Sequence, residues 1–369
     1  MDSFMDKAFE LGFLNGTEEP KPRHVRFLLE ELEPFIKNDF RGYDTPLPAF
    51  VENCTLLLLG CGTGRDAFIA QTLVGCEGRV IAVDASQELI DEARSLRKRL
   101  ADERGADLSN LEFVVGKADD LAALGIEDET IDVVVTNFSF NFVEDKPFAL
   151  KEFRRVLKQG AELYLSALFG NTRITKALTR GIEQPTELLE RSIYLEDFRR
   201  WMRAAGWENF RYIQKRRIVI KRDHEKDAYK DRDFIYRIIR TFKIDFLEDL
   251  CENYGQSAEY LGTIPGYNQF FDLDDLHRFF VDKPDRVCGN TCAMVANTRF
   301  APYFRVKGSR DYKHFGLYDY CSYCGIGKEN PKGIINFLEE EKAVCLDCQH
   351  HSHCLVDGHC QHDDHEAAL

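Results

Sequence analysis

The amino-acid sequence predicts a doubly wound, mostly parallel α/β sheet, joined to a second α+β domain and a Cys/His-rich C-terminal segment. Three observations carry that prediction. Short, almost wholly apolar runs (TLLLLG from Thr55, RVIAVD from Arg79, IDVVVTN from Ile131) have the composition of strands buried on both faces. Segments with apolar residues at helical spacing separate them, the alternation expected of a parallel sheet covered on both sides. The cysteines are uneven: six of the twelve fall after residue 320.

The elements follow in order. Residues 1–50 read as a helical N-terminal or lid segment, in which HVRFLLEELEPFI (from His24) follows the turn-forming EEPKP. It is either an amphipathic packing helix or a cover over a bound cofactor. Residues 51–225 form the α/β domain. Its first strand ends in GCGTGR and leads into the helical DAFIAQTLV. RVIAVDAS is the second strand, followed by the helical QELIDEARSLRKRLADE, and LEFVVGKADD contains the third. IDVVVTNFSF, ending at Phe140, reads as the fourth strand. KPFALKEFRRVLKQG reads as a helix stopped by Gly160, and AELYLSALF as the fifth strand. The helical LEDFRRWMRAAGW and the strand candidate FRYIQKRRIVIKR complete the domain. The charged DHEKDAYKDRD marks a domain boundary or a solvated crossover, and residues 226–320 carry short aromatic strands such as AEYLG and QFFDL. Residues 321–369 form the Cys/His-rich tail.

A chain of 369 residues with 44% apolar and 30% charged residues is ordinary for folded domains with real cores. Its formal charge of -14 speaks against general nucleic-acid binding, which needs a positive stripe to release phosphate counterions. No run approaches the roughly 20 apolar residues that span a bilayer. The first residues, MDSFMDKAFELGFLNG, lack the basic start and apolar core of a secretory signal, so a cytoplasmic protein without membrane contact is expected. Oligomeric state leaves no mark in the sequence.

GCGTG stands between a predicted strand and a predicted helix, the context that raises a glycine motif above chance. Gly60 suits the tight turn, Gly62 a close approach of ligand to backbone, and Gly64 close helix contact. Cys61 and Arg65 lie within the same loop. Asp84, at the end of the second strand with Ala85 beside it, is placed to accept hydrogen bonds from ribose hydroxyls. These features fit NAD as well as S-adenosyl-L-methionine (SAM). The GxGxG form, and Ala118 and Asp119 in the loop after the third strand, where a carboxylate can meet an adenine amino group, favour SAM.

With those residues in hand, the chain resembles the arsenite methyltransferases over about residues 20–320. PRHV, LLLLGCGTGRDAF, LVGCEGRVIAVD and FRRVLKQGAELYLS carry part of the likeness. YGQSAEYLGTIPG, LDDLHRF, VCGNTCAMVANTRFAPYF and HFGLYDYC, far from the cofactor motif, make it specific. The resemblance implies SAM as donor, a Rossmann-like methyltransferase domain, and a substrate region in which three cysteine thiolates hold trivalent arsenic, a soft centre suited to soft ligands. At those three places this chain has Tyr43, Phe138 and a residue near Leu188. Arsenite bound in the family manner is therefore not expected. A small-molecule acceptor (a thiol, an amine or another N, O or S nucleophile) enclosed by Tyr43, Phe138, Phe140 and Phe142 is. Methyltransferases also usually carry an acid two residues before the first glycine, where this chain has Leu58. Asn137, at the end of the fourth strand, occupies the place that faces the transferable methyl in such enzymes. Tyr43 and Asn137 are accordingly the catalytic candidates, with His24 and with His277 in the charged DDLHR pattern behind them. Two alternatives stand beside this reading: a methyltransferase-like module that has lost catalysis and binds metal or a partner, and a metalloid methyltransferase using the C-terminal cysteines.

Cys321, Cys324, Cys345 and Cys348 form two CxxC pairs separated by 20 residues, a spacing that places four sulfurs around structural Zn(II). Cys354 and Cys360 are alternates, and the neighbouring histidines strengthen a metal reading over a redox one.

Overall fold

In the computed structural model, which describes residues 11–13, 30, 46–182, 185–220 and 223–318, the apolar runs form a nine-stranded sheet flanked by helices. Strand β1 (Leu11–Phe13) lies at one edge. The α/β alternation then runs β2 (Thr55–Leu59), α1 (Arg65–Val74), β3 (Arg79–Asp84), α2 (Gln87–Arg104), β4 (Leu111–Val115) and β5 (Ile131–Asn137). A short helix α3 (Ser139–Phe142), α4 (Lys146–Val156) and the long β6 (Leu157–Gly170) follow, then β7 (Ile193–Tyr194), α5 (Leu195–Ala204), β8 (Arg211–Ile220) and β9 (Phe234–Phe242). The strand order is β1-β8-β9-β6-β5-β2-β3-β4, with β7 on β6. Strands β2 to β6 pair in parallel, and β9 runs antiparallel between β6 and β8.

Local chemistry explains the breaks. Ser86 caps α2 by accepting from the Leu89 N–H (3.3 Å), and Gly105 closes it in the left-handed region, its N–H donating to Ala101 O. Asp145 caps α4 by accepting from the Phe148 N–H (2.9 Å). That helix stops at Val156 and not at Gly160. The carbonyls of Arg155 and Val156 accept from the N–H groups of Glu129 and Thr130, drawing the chain into the sheet four residues early. Gly160 has a different purpose. At φ +75 it sits where an added Cβ would lie 2.3 Å from Asn297 O, so it permits close contact with the second domain.

Of the two readings of the charged segment at Asp223, the structure shows the crossover and not the boundary. It forms a single short helix (Asp223–Ala228), and β9 then returns to the central sheet with all nine residues buried. A charged connection between two strands of one sheet reads locally like a linker, and the pairing that distinguishes them is non-local. The second domain therefore begins after Phe242. It contains a three-stranded antiparallel sheet, β13-β10-β14 (β10 Gln256–Tyr260, β13 Pro284–Val287, β14 Phe304–Lys307). A hairpin of β11 (Phe270–Asp274) and β12 (His277–Phe280) and the helix α6 (Gly289–Ala296) complete the expected α+β character. Phe271, Phe279, Phe300, Phe304 and Tyr260 form its aromatic core.

A buried ion cluster ties this domain to the sheet. Glu162 on β6, fully buried, accepts from Arg240 on β9 and pairs with Arg299 of the second domain, each at 2.5 Å. Arg299 also donates to the carbonyls of Phe50 (2.6 Å) and Ala49 (3.0 Å). His277 is likewise more than part of a charged surface. Its Nδ1 lies 2.7 Å from the buried Asp274 carboxylate, so LDDLHRF supplies an internal hydrogen bond as well as outward charge. Among the described residues no helix is long and apolar enough to cross a membrane.

Candidate functional site: a nucleotide-type cleft at the switch point

From β2 the chain passes to β3 and β4 on one side, while β5 and β6 lie on the other. Ligand crevices in such sheets open at the carboxyl ends of the strands where this reversal occurs. A cleft of about 530 Å³ lies there. Gly60, Cys61, Gly62, Arg65, Asp84, Ala85, Ala118, Asp119 and Asn137 all line it.

Each glycine of GCGTG has its own local reason. An added Cβ at Gly60 (φ +74) would lie 2.1 Å from the Ser139 Cβ, and the Ser139 hydroxyl donates to Leu59 O (2.6 Å), which seats α3 against the turn. Gly62 (φ +54) faces open space, leaving its backbone approachable from the cleft. Gly64 (φ +93) does not line the cleft; a side chain there would meet the Phe113 ring at 2.8 Å, so it permits helix-to-strand packing. Asp84 at the end of β3 joins two loops. Its Oδ2 accepts from the Gly62 N–H and its Oδ1 from the Ser86 N–H, both at 2.9 Å, and each oxygen retains acceptor capacity. Across the cleft, the Asp119 carboxylate accepts from the Asp145 N–H (3.4 Å), linking the loop after β4 to the start of α4.

The end of β5 departs from the expected course. The strand stops at Asn137, Phe138 adopts φ +59, and Ser139–Phe142 is helical. A bulky residue in the left-handed region is strained. It is held by hydrogen bonds from the Phe138 N–H to the Ser166 carbonyl (3.1 Å) and hydroxyl (3.2 Å) and by packing on Tyr236 at 5.1 Å. Because the segment is helical, Phe138 and Phe142 face the cleft while Phe140 points away. Phe140 is buried between Phe153 and Phe198 and lines no part of the site, correcting the expectation that it would. Asn137 is fixed on both sides: its Nδ2 donates to Asp66 Oδ2 (3.0 Å), and its Oδ1 accepts from the Ser166 hydroxyl (3.1 Å).

Burial pushes the Cys61 thiol well up from its ordinary value, and the Asp84 charge adds to that shift. Lys146, whose Nζ donates to Val143 O (2.7 Å) beside the cleft, is pushed down to about 8 by burial and then by Arg191. Leu188 is buried among apolar neighbours in the short helix Glu187–Glu190. Tyr43, His24, and Cys321, Cys324, Cys345, Cys348, Cys354 and Cys360 lie outside the described residues. Among those that are described, no three His, Cys, Asp or Glu side chains are arranged to hold a metal ion.

Sequence reasoning did not find Asp66, Val143, Glu144 or Glu187, which also line the cleft. Asp66 falls in the first turn of α1, where an acid reads as a complement to the helix dipole. Glu187 enters from a distant connection, and nothing local marks it.

Residues 50–216 match a family model described as a methyltransferase domain. An arsenite methyltransferase of Aquipseudomonas alcaligenes is 35% identical over 300 residues, spanning 81% of this chain and 86% of the relative. The arsenite methyltransferase of Homo sapiens is 27% identical over 79% of this chain and 77% of its own length. The crystal structure of an arsenic(III) SAM methyltransferase from Chlamydomonas reinhardtii superposes with a TM-score of 0.76 at 36% identity, covering 81% of this chain and 99% of that one. Fold, cleft and likeness along most of the length agree: the chain belongs to the arsenite methyltransferase family and is a SAM-dependent methyltransferase.

Proposed function

We propose that this chain transfers the SAM methyl group to a small organic acceptor, an amine, thiol or other N, O or S nucleophile, and not to arsenite held by three cysteines. The observation that carries the reading is the apolar character of two positions. Phe138 and Leu188, where the family resemblance places thiolates, are both buried hydrophobic residues. Neither offers a donor to a soft metalloid. Tyr43, the third such position, brings at most a hard phenolic oxygen.

The residues of the cleft fit the donor. SAM supplies an electrophilic methyl carbon on a sulfonium. In this reading Asp84, with spare acceptor capacity on both oxygens, takes the ribose hydroxyls, and Asp119 with the Ala118 backbone meets the adenine amino group. The open backbone at Gly62 admits the ligand to the turn, between Cys61 and Arg65. Ala85 completes the β3 end. Asn137, held between Asp66 and Ser166, borders the place of transfer, and Phe138 and Phe142 form a wall that excludes water and favours a carbon-bearing acceptor. Tyr43 is the other candidate for orienting the acceptor.

The test is methyl transfer from labelled SAM to a panel of small amines, thiols and phenols, with arsenite plus glutathione as a parallel arm. Label in an organic product supports the proposal, and label confined to methylarsenic species contradicts it. Structural Zn(II) on Cys321, Cys324, Cys345 and Cys348, with Cys354 and Cys360 as alternates, belongs to the same reading on spacing alone. Elemental analysis then finds about one zinc per chain, lost on replacing the CxxC cysteines.

A further inference from the structure

The methionine end of SAM carries an ammonium group, and a low-dielectric cleft must supply it with a counter-charge. The acid usual two residues before the first glycine is absent, since Leu58 is a core residue of β2 packed among apolar side chains. Another carboxylate of the cleft is the strongest acceptor left for that ammonium. Of the acids that line the cleft, Asp84 is bound into the β2 and β3 loops by two N–H groups. Asp119 is tied to the start of α4, with Glu144 adjoining that start and exposed. Glu187 is exposed and accepts from Arg191 (2.8 Å).

Asp66 differs from all four. It is 5% exposed, the one buried carboxylate of the cleft among the described residues. It stands on the first turn of α1, two residues past Gly64, and its Oδ2 reaches across to the Asn137 amide at the end of β5. Arg65 Nη1 lies 3.9 Å from its other oxygen, so the carboxylate is oriented from two sides. This places it between the glycine turn and β5, whereas Asp84 and Asp119 stand at the end of β3 and in the loop after β4.

We propose that Asp66 is the residue that binds the cofactor's ammonium group, replacing the acid that Leu58 removes. Asn137 then acts as a positioning residue for that carboxylate, itself fixed by the Ser166 hydroxyl. The proposal rests on SAM as donor and is independent of which acceptor is methylated.

Calorimetric titration with two ligands tests it. S-Adenosylhomocysteine carries the amino-acid end; 5′-deoxy-5′-methylthioadenosine shares the adenine, ribose and sulfur but lacks it. In Asp66→Asn the Kd for S-adenosylhomocysteine rises about 10- to 100-fold, the scale of a charge-assisted hydrogen bond. The Kd for methylthioadenosine stays within about twofold, which also reports that the variant folds. Asp66→Glu, which keeps the charge, retains more of the preference for S-adenosylhomocysteine than Asp66→Asn does. Equal weakening of both ligands, or no weakening of either, overturns the assignment. Failure of the unaltered chain to bind S-adenosylhomocysteine overturns the donor reading itself, and the assignment with it.

Discussion

The two walls of the cleft differ in kind. On the side of β2, β3 and β4, polar groups and backbone amides interlock: Asp84 bridges Gly62 and Ser86, and Asp119 meets the Asp145 N–H. On the side of α3, Phe138 and Phe142 present apolar surface, Phe138 at a place where the family resemblance calls for sulfur; Leu188, near another such place, is buried behind the Glu187–Glu190 helix. Under the proposed function the first wall is constrained by a ligand common to all SAM-dependent methyltransferases, and the second by an acceptor that can change. Divergence at Phe138 and Leu188 beside GCGTG, Asp84 and Asp119 is the pattern that the proposed change of acceptor with a retained donor would leave behind.

The largest effect is expected at the tightest contact of the donor wall. In Gly60→Val the added atoms collide with Ser139 and the backbone loses a conformation that side chains rarely adopt. Calorimetry should find S-adenosylhomocysteine affinity reduced by about 100-fold or more. An unaltered affinity would break the comparison at its root.

Comparable in size is a change away from both walls. Glu162→Gln leaves Arg240 and Arg299 without their buried counter-ion and should lower unfolding free energy by about 3–5 kcal/mol in urea titrations. S-adenosylhomocysteine affinity of the folded fraction should hold, separating domain docking from cofactor binding. Phe142→Ala sharpens the contrast between walls. It should change S-adenosylhomocysteine affinity less than about threefold, yet lower kcat/KM for an organic acceptor by about tenfold or more. Equal effects on both would join the walls into one site.

The smallest effect concerns thiols. Burial pushes Cys54 and Cys292 up to about 11 and raises Cys61 as well, whereas Cys76 is exposed. A raised thiol value means the folded chain holds its proton more tightly. That stability is fully present below the ordinary thiol value and is lost as pH rises toward and through about 11. Among the cysteines of the described residues, peptide-resolved alkylation at about pH 8 should therefore label Cys76 first. Labelling of Cys54 and Cys292 should speed up about tenfold per pH unit until about 11. Fast labelling of Cys61 at neutral pH would place a reactive soft ligand in the cleft and weaken the contrast.

The donor wall was legible because its chemistry is local. GCGTG sits at a strand-to-helix turn, Asp84 ends β3 and Asp119 lies in the loop that follows β4, so spacing alone brings them to the cleft. Asp66 was not legible: its meaning depends on Asn137, which lies 71 residues away in sequence and is a neighbour only in the folded sheet. Phe140 was placed at the site because the fourth strand was read through to it, whereas the backbone turns left-handed at Phe138 and a helix begins. β9 was assigned to the second domain because a charged helix precedes it, while its antiparallel place between β6 and β8 is set by pairing across many residues. Apolar runs and glycine turns report local geometry; long-range partners have no such mark.

The most direct test of a retained donor and a changed acceptor is a methyl-transfer assay on arsenite with glutathione, run on chain already shown to bind S-adenosylhomocysteine. The account predicts micromolar cofactor binding and no methylarsenic product above the protein-free control. Methylarsenic formed catalytically by the unaltered chain would contradict it, and would mean that thiols other than those at the three family positions hold the metalloid.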